Sequence, residues 1–141
     1  MNSYRPKHFI LQELVPPDIY HARGESAWEL LDPRALVTAD TVRDTFGPTT
    51  INNWHAGGRF RESGLRSFSS PTGAKLSQHR FGRGNDCKFR LATPQEAYEY
   101  ILLHAEKFPY LTTLEDITHT ASWLHFDVRL SSGNRIRIVK P

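Results

Sequence analysis

Apolar positions recur along this chain with two different periods, and the changes of period delimit its elements. From Asp32 to Gly47, Leu36, Ala39, Val42 and Phe46 fall on one helical face, with Asp32 placed as cap, Pro33 as first helical residue and Gly47 just past the end. Thr93-Pro94-Gln95-Glu96 is a capping box that opens a second helix, carried on by Ala97, Ile101, Ala105 and Phe108 as far as Pro109. Between Trp123 and Leu130 the period drops to two. Leu124, Phe126, Val128 and Leu130 are predicted to face the core, leaving Trp123, His125, Asp127 and Arg129 on the opposite face. Ser131-Ser132-Gly133-Asn134 turns the chain into a last strand, with Ile136 and Ile138 on one side and Arg135 and Arg137 on the other. Shorter strands are predicted over Thr49 to Trp54 and Tyr110 to Leu114. The segment from His8 to Val15, stopped by Pro16-Pro17, reads as a short stretch docking two or three apolar residues onto the core, followed by a loop.

Residues 55–86 are rich in Gly, Ser and Arg and keep no period, which predicts a long ordered loop or several short turns, a kind of segment that often carries function. Helix, strand, loop, helix and then strands is the order of an α+β domain, a small and largely antiparallel sheet with flanking helices.

A length of 141 residues with 38% apolar positions supports one core, hence a single domain over residues 1–141. No apolar run approaches the roughly 18 residues of a membrane span. The polar stretch Met1 to Lys7 lacks the apolar centre of a secretory signal, so synthesis in the cytoplasm is expected. Cys87 is the only cysteine, which excludes an internal disulfide and a thiolate-rich zinc site. Any metal must be held by histidine and carboxylate. A net charge of +3 is a weak pointer to a polyanionic partner.

His79, Asp86 and His125 make a set of two imidazoles and a carboxylate that suits a three-ligand metal site. A catalytic zinc keeps three protein ligands and leaves a further position to water, whose pKa it lowers to about 7. Each residue also has a plainer reading: His79 as a solvated loop histidine, Asp86 beside Asn85 as a turn residue, His125 as a half-buried histidine. His55 and His119 are read as surface or supporting residues.

The motifs decide between these readings. Ser63-Gly64-Leu65-Arg66-Ser67, Ser77-x-His79-x-x-Gly82-x-Gly84-x-Asp86 and Trp123-x-His125-x-Asp127 follow one another in the chain. Together they resemble the zinc D-alanyl-D-alanine carboxypeptidases and related peptidoglycan endopeptidases of the hedgehog/DD-peptidase fold, and the early His8 to Leu14 segment is similar to the phage-type branch. Gly84 stands where that family usually has alanine, and Leu65 where it has tyrosine. The resemblance spans Ser63 to Arg129. It implies that His79, Asp86 and His125 bind Zn2+, that Gly82 and Gly84 let the backbone turn tightly between ligands, and that Arg66 binds a substrate carbonyl or carboxylate. Several relatives carry an acid three residues before the last histidine ligand, where this chain has Ser122. The general base is therefore sought in Glu115, the first choice, or in Asp127, which could instead orient a ligand or pair with Arg129.

The function implied is hydrolysis of an amide bond in a peptidoglycan stem peptide or cross-bridge, with the protein meeting the wall as a phage lysis enzyme or virion component. Which bond is cut, and the oligomeric state, stay open. His125-x-Asp127 could open a facial triad of non-haem iron oxygenases, but no histidine follows Asp127. Arg59, Arg61, Arg66, Arg80, Arg83 and Arg90 around Phe60, Phe68 and Phe81 could track nucleic acid, a partner disfavoured by the nearly balancing acidic residues. A non-catalytic zinc domain of the same fold, structural or wall-binding, is the third.

Overall fold

A computed structural model describes residues 4–141 as helices α1 (Pro17–Arg23), α2 (Pro33–Phe46) and α3 (Pro94–Leu103) with strands β1 (Thr49–Thr50), β2 (Gly84–Phe89), β3 (Thr113–Glu115), β4 (Leu124–Asp127) and β5 (Arg137–Val139). The class is α+β. The strands form one sheet in the order β1-β2-β4-β3-β5, antiparallel except for the parallel pairing of β3 with β5, so the sheet is mixed.

Both helices expected from periodicity form, and for the expected reasons. Thr93 Oγ1 accepts from Glu96 N–H while Glu96 reaches back to Thr93 N–H, closing the capping box of α3. That helix stops at Leu103 rather than running to Phe108, and Ala105–Lys107 tightens into a 3-10 turn. Asp32 caps α2 by accepting from Arg34 N–H at 2.9 Å, and Leu36, Ala39 and Val42 are buried beneath it.

Burial opposes the charge on Asp32, but the Arg34 hydrogen bonds overcome it and hold the carboxyl below its usual range. A depressed carboxylate stabilises the fold above its unfolded pKa of about 3.9 and loses that contribution as the pH falls through the lower folded value. Asp32→Ala is expected to lower stability by about 1 kcal/mol near neutral pH. Urea unfolding of the two proteins should show that difference vanishing in strong acid.

The strands are shorter than predicted. Only Thr49 and Thr50 of the segment to Trp54 pair with a neighbour; beyond them Asn52 bonds to Glu13, Val15 and Ser63 instead of a strand, and Trp54–Ala56 turns. Tyr110 is exposed and Leu111 closes a turn onto Phe108, so that strand begins only at Thr113. β4 ends at Asp127, because the next turn folds back on it: Arg129 N–H donates to Asp127 Oδ1 at 3.2 Å. Leu130, expected in the core, is therefore 91% exposed. On β5 Ile138 is exposed, and Ile136, just before the strand, is half-buried. The stretch read as a loop after Pro16 is helical, as α1 and the 3-10 segment Gly24–Leu30.

Within β4, Leu124 and Phe126 face the buried side chains of α2 and α3, with Cys87 and Leu114 beside them. The other face is not left to solvent. Residues 63–82 fold over it, as Asp86 N–H donates to Ser63 O at 2.7 Å and Arg66 N–H to His79 O at 3.0 Å. Phe9, Leu11, Leu14 and Val15 seal the edge of the core as the sequence predicts. Among the described residues, no helix is long and apolar enough to cross a membrane.

Candidate metal centre

The three candidate ligands come from two adjacent strands and one turn. Asp86 on β2 is directly opposite His125 on β4 in the antiparallel register. Ser77 caps a 3-10 turn, Gln78–Phe81, which delivers His79 seven residues before Asp86. Gly82 ends that turn at φ +68°, where any side chain would also strike the Leu30 carbonyl. At Gly84 the constraint is space: a Cβ there would lie 3.1 Å from His125 Cε1, tight against a ligand ring. Asp86, predicted to end the irregular segment 55–86, lies instead on β2, so the site is divided between β2, β4 and the turn.

One ligand atom from each of His79, Asp86 and His125 lies within 4.8 Å of the others, so the group can hold a metal ion. The outward nitrogens explain the ring orientations. His79 Nδ1–H donates to the Gly64 carbonyl at 2.8 Å, which aims Nε2 at Asp86 Oδ1, 3.3 Å away. His125 Nε2–H donates to Asp127 Oδ2 at 3.0 Å, which aims Nδ1 at the same Asp86 oxygen at 2.9 Å. Metal-binding histidines are held this way, with the second ring N–H engaged by a carbonyl or carboxylate. The donor set of two nitrogens and one carboxylate oxygen is one that divalent transition metals accept.

The electrostatics follow from this crowding. Burial disfavours charge on His125, but hydrogen bonds to Asp127 and Asp86 outweigh it and raise its pKa to about 10. Burial likewise opposes ionisation of Asp86, and the His79 and His125 rings overcome it, holding the carboxyl well below the ordinary range. A metal held at the site would require His125 to give up its Nδ1 proton, so acid would weaken its binding. Asp127 is fully buried and stays ionised, its pKa lowered to about 2 because Arg129 and His125 offset its burial. Its two oxygens are taken up by Arg129 and His125.

No family model, curated protein or solved structure matches this chain.

Glu115 and Arg66 flank the centre. Glu115, on β3 beside β4, lies 3.9 Å from His125 Nδ1, and burial raises its pKa. Arg66 is 8% exposed; its Nη2 donates to Glu62 O at 3.3 Å, its Nε has no hydrogen-bond partner, and it has no carboxylate partner among the described residues. A buried guanidinium so lightly engaged is suited to an oxygen-bearing ligand. His55 and His119 are exposed and outside the cluster.

Three supporting groups escaped the sequence reading. The Gly64 carbonyl has no side chain to announce it. Lys88 donates to Ile51 O, Ser63 Oγ and Asp86 O, fastening the Asp86 strand to two loops, and burial lowers its pKa to about 8. Arg80, read as part of an arginine–aromatic cluster, is buried and donates to the carbonyls of Ser67, Ser70, Thr72 and Ala74.

Proposed function

We propose that this protein is a zinc-dependent peptidase that hydrolyses an amide bond in the stem peptide or cross-bridge of bacterial peptidoglycan. The observation that carries the reading is the convergence of His79, Asp86 and His125, both rings locked from behind, with a carboxylate and a guanidinium at the rim. Zinc held there supplies a Lewis acid that polarises a carbonyl and makes water nucleophilic near neutral pH. Glu115, half-buried beside His125 with its pKa raised, takes the proton from the attacking water and returns it to the leaving amine. Arg66 donates to the scissile carbonyl oxygen as negative charge builds on it. Asp127 keeps His125 in place and is not needed as base, since Arg129 and His125 occupy it.

The wall as substrate is supported by the three motifs and their order, and by the net charge of +3. A phage lysis enzyme or virion component is the setting that fits such an activity. The burial of Arg66 and Arg80 disperses the arginine cluster that would have tracked nucleic acid.

Zinc-loaded protein incubated with purified peptidoglycan should release soluble fragments carrying new amino groups. A chelator should stop the release and added zinc restore it. Bound zinc without new amino groups would replace this reading with a non-catalytic zinc domain, and failure to retain any divalent metal would remove both.

A further inference from the structure

The positive charge of the chain is unevenly placed. Residues 128–141 hold four of its 18 Lys and Arg and none of its 15 Asp and Glu, so the whole excess of +3 resides in this segment and the rest of the chain is slightly acidic. An excess so concentrated draws a polyanion to one place on the surface.

The segment folds at the edge of the sheet, where β5 ends the strand order and pairs with β3 alone. Thr112, just before β3, ties both ends of the preceding loop: its hydroxyl donates to Arg129 O at 2.6 Å and its carbonyl accepts from Arg137 N–H at 2.8 Å. The loop so drawn together borders a concave space of about 700 Å³, lined by Ser131, Ser132, Arg135 and Arg137 with carbon from Leu130 and Ile136. Arg129 is engaged by Asp127. Arg135 and Arg137 are exposed, and neither side chain has a hydrogen bond or ion pair among the described residues. Further along, Val139 is level with Glu115 in the strand pairing, and Val139 and Lys140 line the space that holds His79 and His125. The basic cavity thus lies on the strand next to the one that carries Glu115.

The lining narrows the choice of polyanion. A guanidinium's planar fork matches two phosphate oxygens at once, and serine hydroxyls suit the hydroxyls of a sugar or polyol between phosphates. A single nucleic-acid strand requires aromatic rings on which its bases stack, and among the described residues none lines this space. A bilayer presents its headgroups as a flat sheet, which meets a concave space poorly.

We propose that the cavity bounded by Arg135 and Arg137 binds a phosphodiester-linked polyol polymer of the cell wall, which holds the protein on the wall with its metal centre alongside. The wall as the source of the polymer rests on the peptidase reading above; the preference for phosphate rests on the cavity alone.

Binding of the zinc-loaded protein to soluble poly(glycerol phosphate) tests the cavity. Two phosphate contacts predict an affinity that falls by about tenfold between about 50 and 200 mM salt. The doubly substituted Arg135→Ala, Arg137→Ala protein should bind about tenfold or more weakly at the lower salt and show a flatter salt dependence. Both side chains are exposed, and the Arg137 bond to Thr112 uses backbone atoms, so folding and zinc content should not change. Arg23→Ala, Arg90→Ala removes the same charge from exposed positions elsewhere and should change the affinity by less than about twofold. Equal weakening in the two double variants would mean that net charge alone binds and would overturn the proposal. So would absence of binding, or tighter binding to an oligonucleotide or to anionic lipid vesicles at the same phosphate concentration.

Purified walls supply the second arm. Retention of the protein should be largely lost once hydrofluoric acid has removed their phosphodiester polymers, and equal retention on the stripped walls overturns the wall polymer as partner. New amino groups released from the same walls are counted in parallel. Cleavage without phosphate-dependent retention overturns this inference and leaves the peptidase reading standing. Polymer binding without cleavage overturns the peptidase reading and leaves the phosphate site standing.

Discussion

His79→Ala and His125→Ala are each expected to reduce zinc content from about one per chain to background and to abolish release of peptidoglycan fragments. Each variant removes one of three protein ligands, and the two left cannot hold the ion against solvent. The loss at His125 goes further. Its ring lies between Asp86 and Asp127, and without it Asp86 loses its 2.9 Å partner while Asp127 keeps only Arg129. Each hydrogen bond lost to a buried charged group costs about 1.5–3 kcal/mol, so His125→Ala should also be the less stable of the two. Elemental analysis read beside urea unfolding separates metal loss from unfolding. His119→Ala, at an exposed histidine outside the cluster, should keep both zinc and activity. Zinc retained at wild-type level by His79→Ala would mean that the ion binds elsewhere.

Glu115→Gln should leave the zinc in place and lower turnover by about 10²- to 10⁴-fold, the range for removing a positioned acid–base group. The change is nearly isosteric and replaces none of the three ligands, although Glu115 Oε1 lies 3.9 Å from His125 Nδ1, so folding and metal content are measured as internal controls. Asp127→Asn differs in kind. It weakens the hydrogen bond that orients His125 and leaves the Arg129 guanidinium without its buried carboxylate, so it should reduce metal affinity, by about 10- to 100-fold for such a supporting partner. Lost turnover with intact zinc in Glu115→Gln, against lost zinc in Asp127→Asn, is the pattern expected if Glu115 is the base. Full activity in Glu115→Gln would overturn that choice.

The parts of the fold legible in the sequence are those fixed by local chemistry. The Asp32 cap and Thr93 capping box form as read because both partners lie within three residues of one another. Alternation along β4 separated Leu124 and Phe126 from His125 and Asp127 correctly, since a strand sends neighbouring side chains to opposite faces. The same pattern failed at Leu130, where Asp127 draws the Arg129 N–H and side chain onto itself and ends the strand early. It also failed to reveal that the polar face of β4 is buried, because what covers that face is the irregular stretch 63–82, whose path depends on bonds to distant carbonyls.

By itself, then, the sequence determined the α+β class, the two capped helices, the lack of thiolate for any metal site and the three side chains able to bind one. Their convergence was decided only by the tertiary structure. The direct opposition of Asp86 and His125 is a matter of strand register, the aim of each ring depends on Gly64 and Asp127, and Arg80 is a loop fastener only because four carbonyls surround it. The physical reason is one of range. Caps and side-chain alternation depend on neighbours a few residues away, whereas a ligand's direction and a buried guanidinium's role depend on backbone oxygens that approach only when the chain has folded.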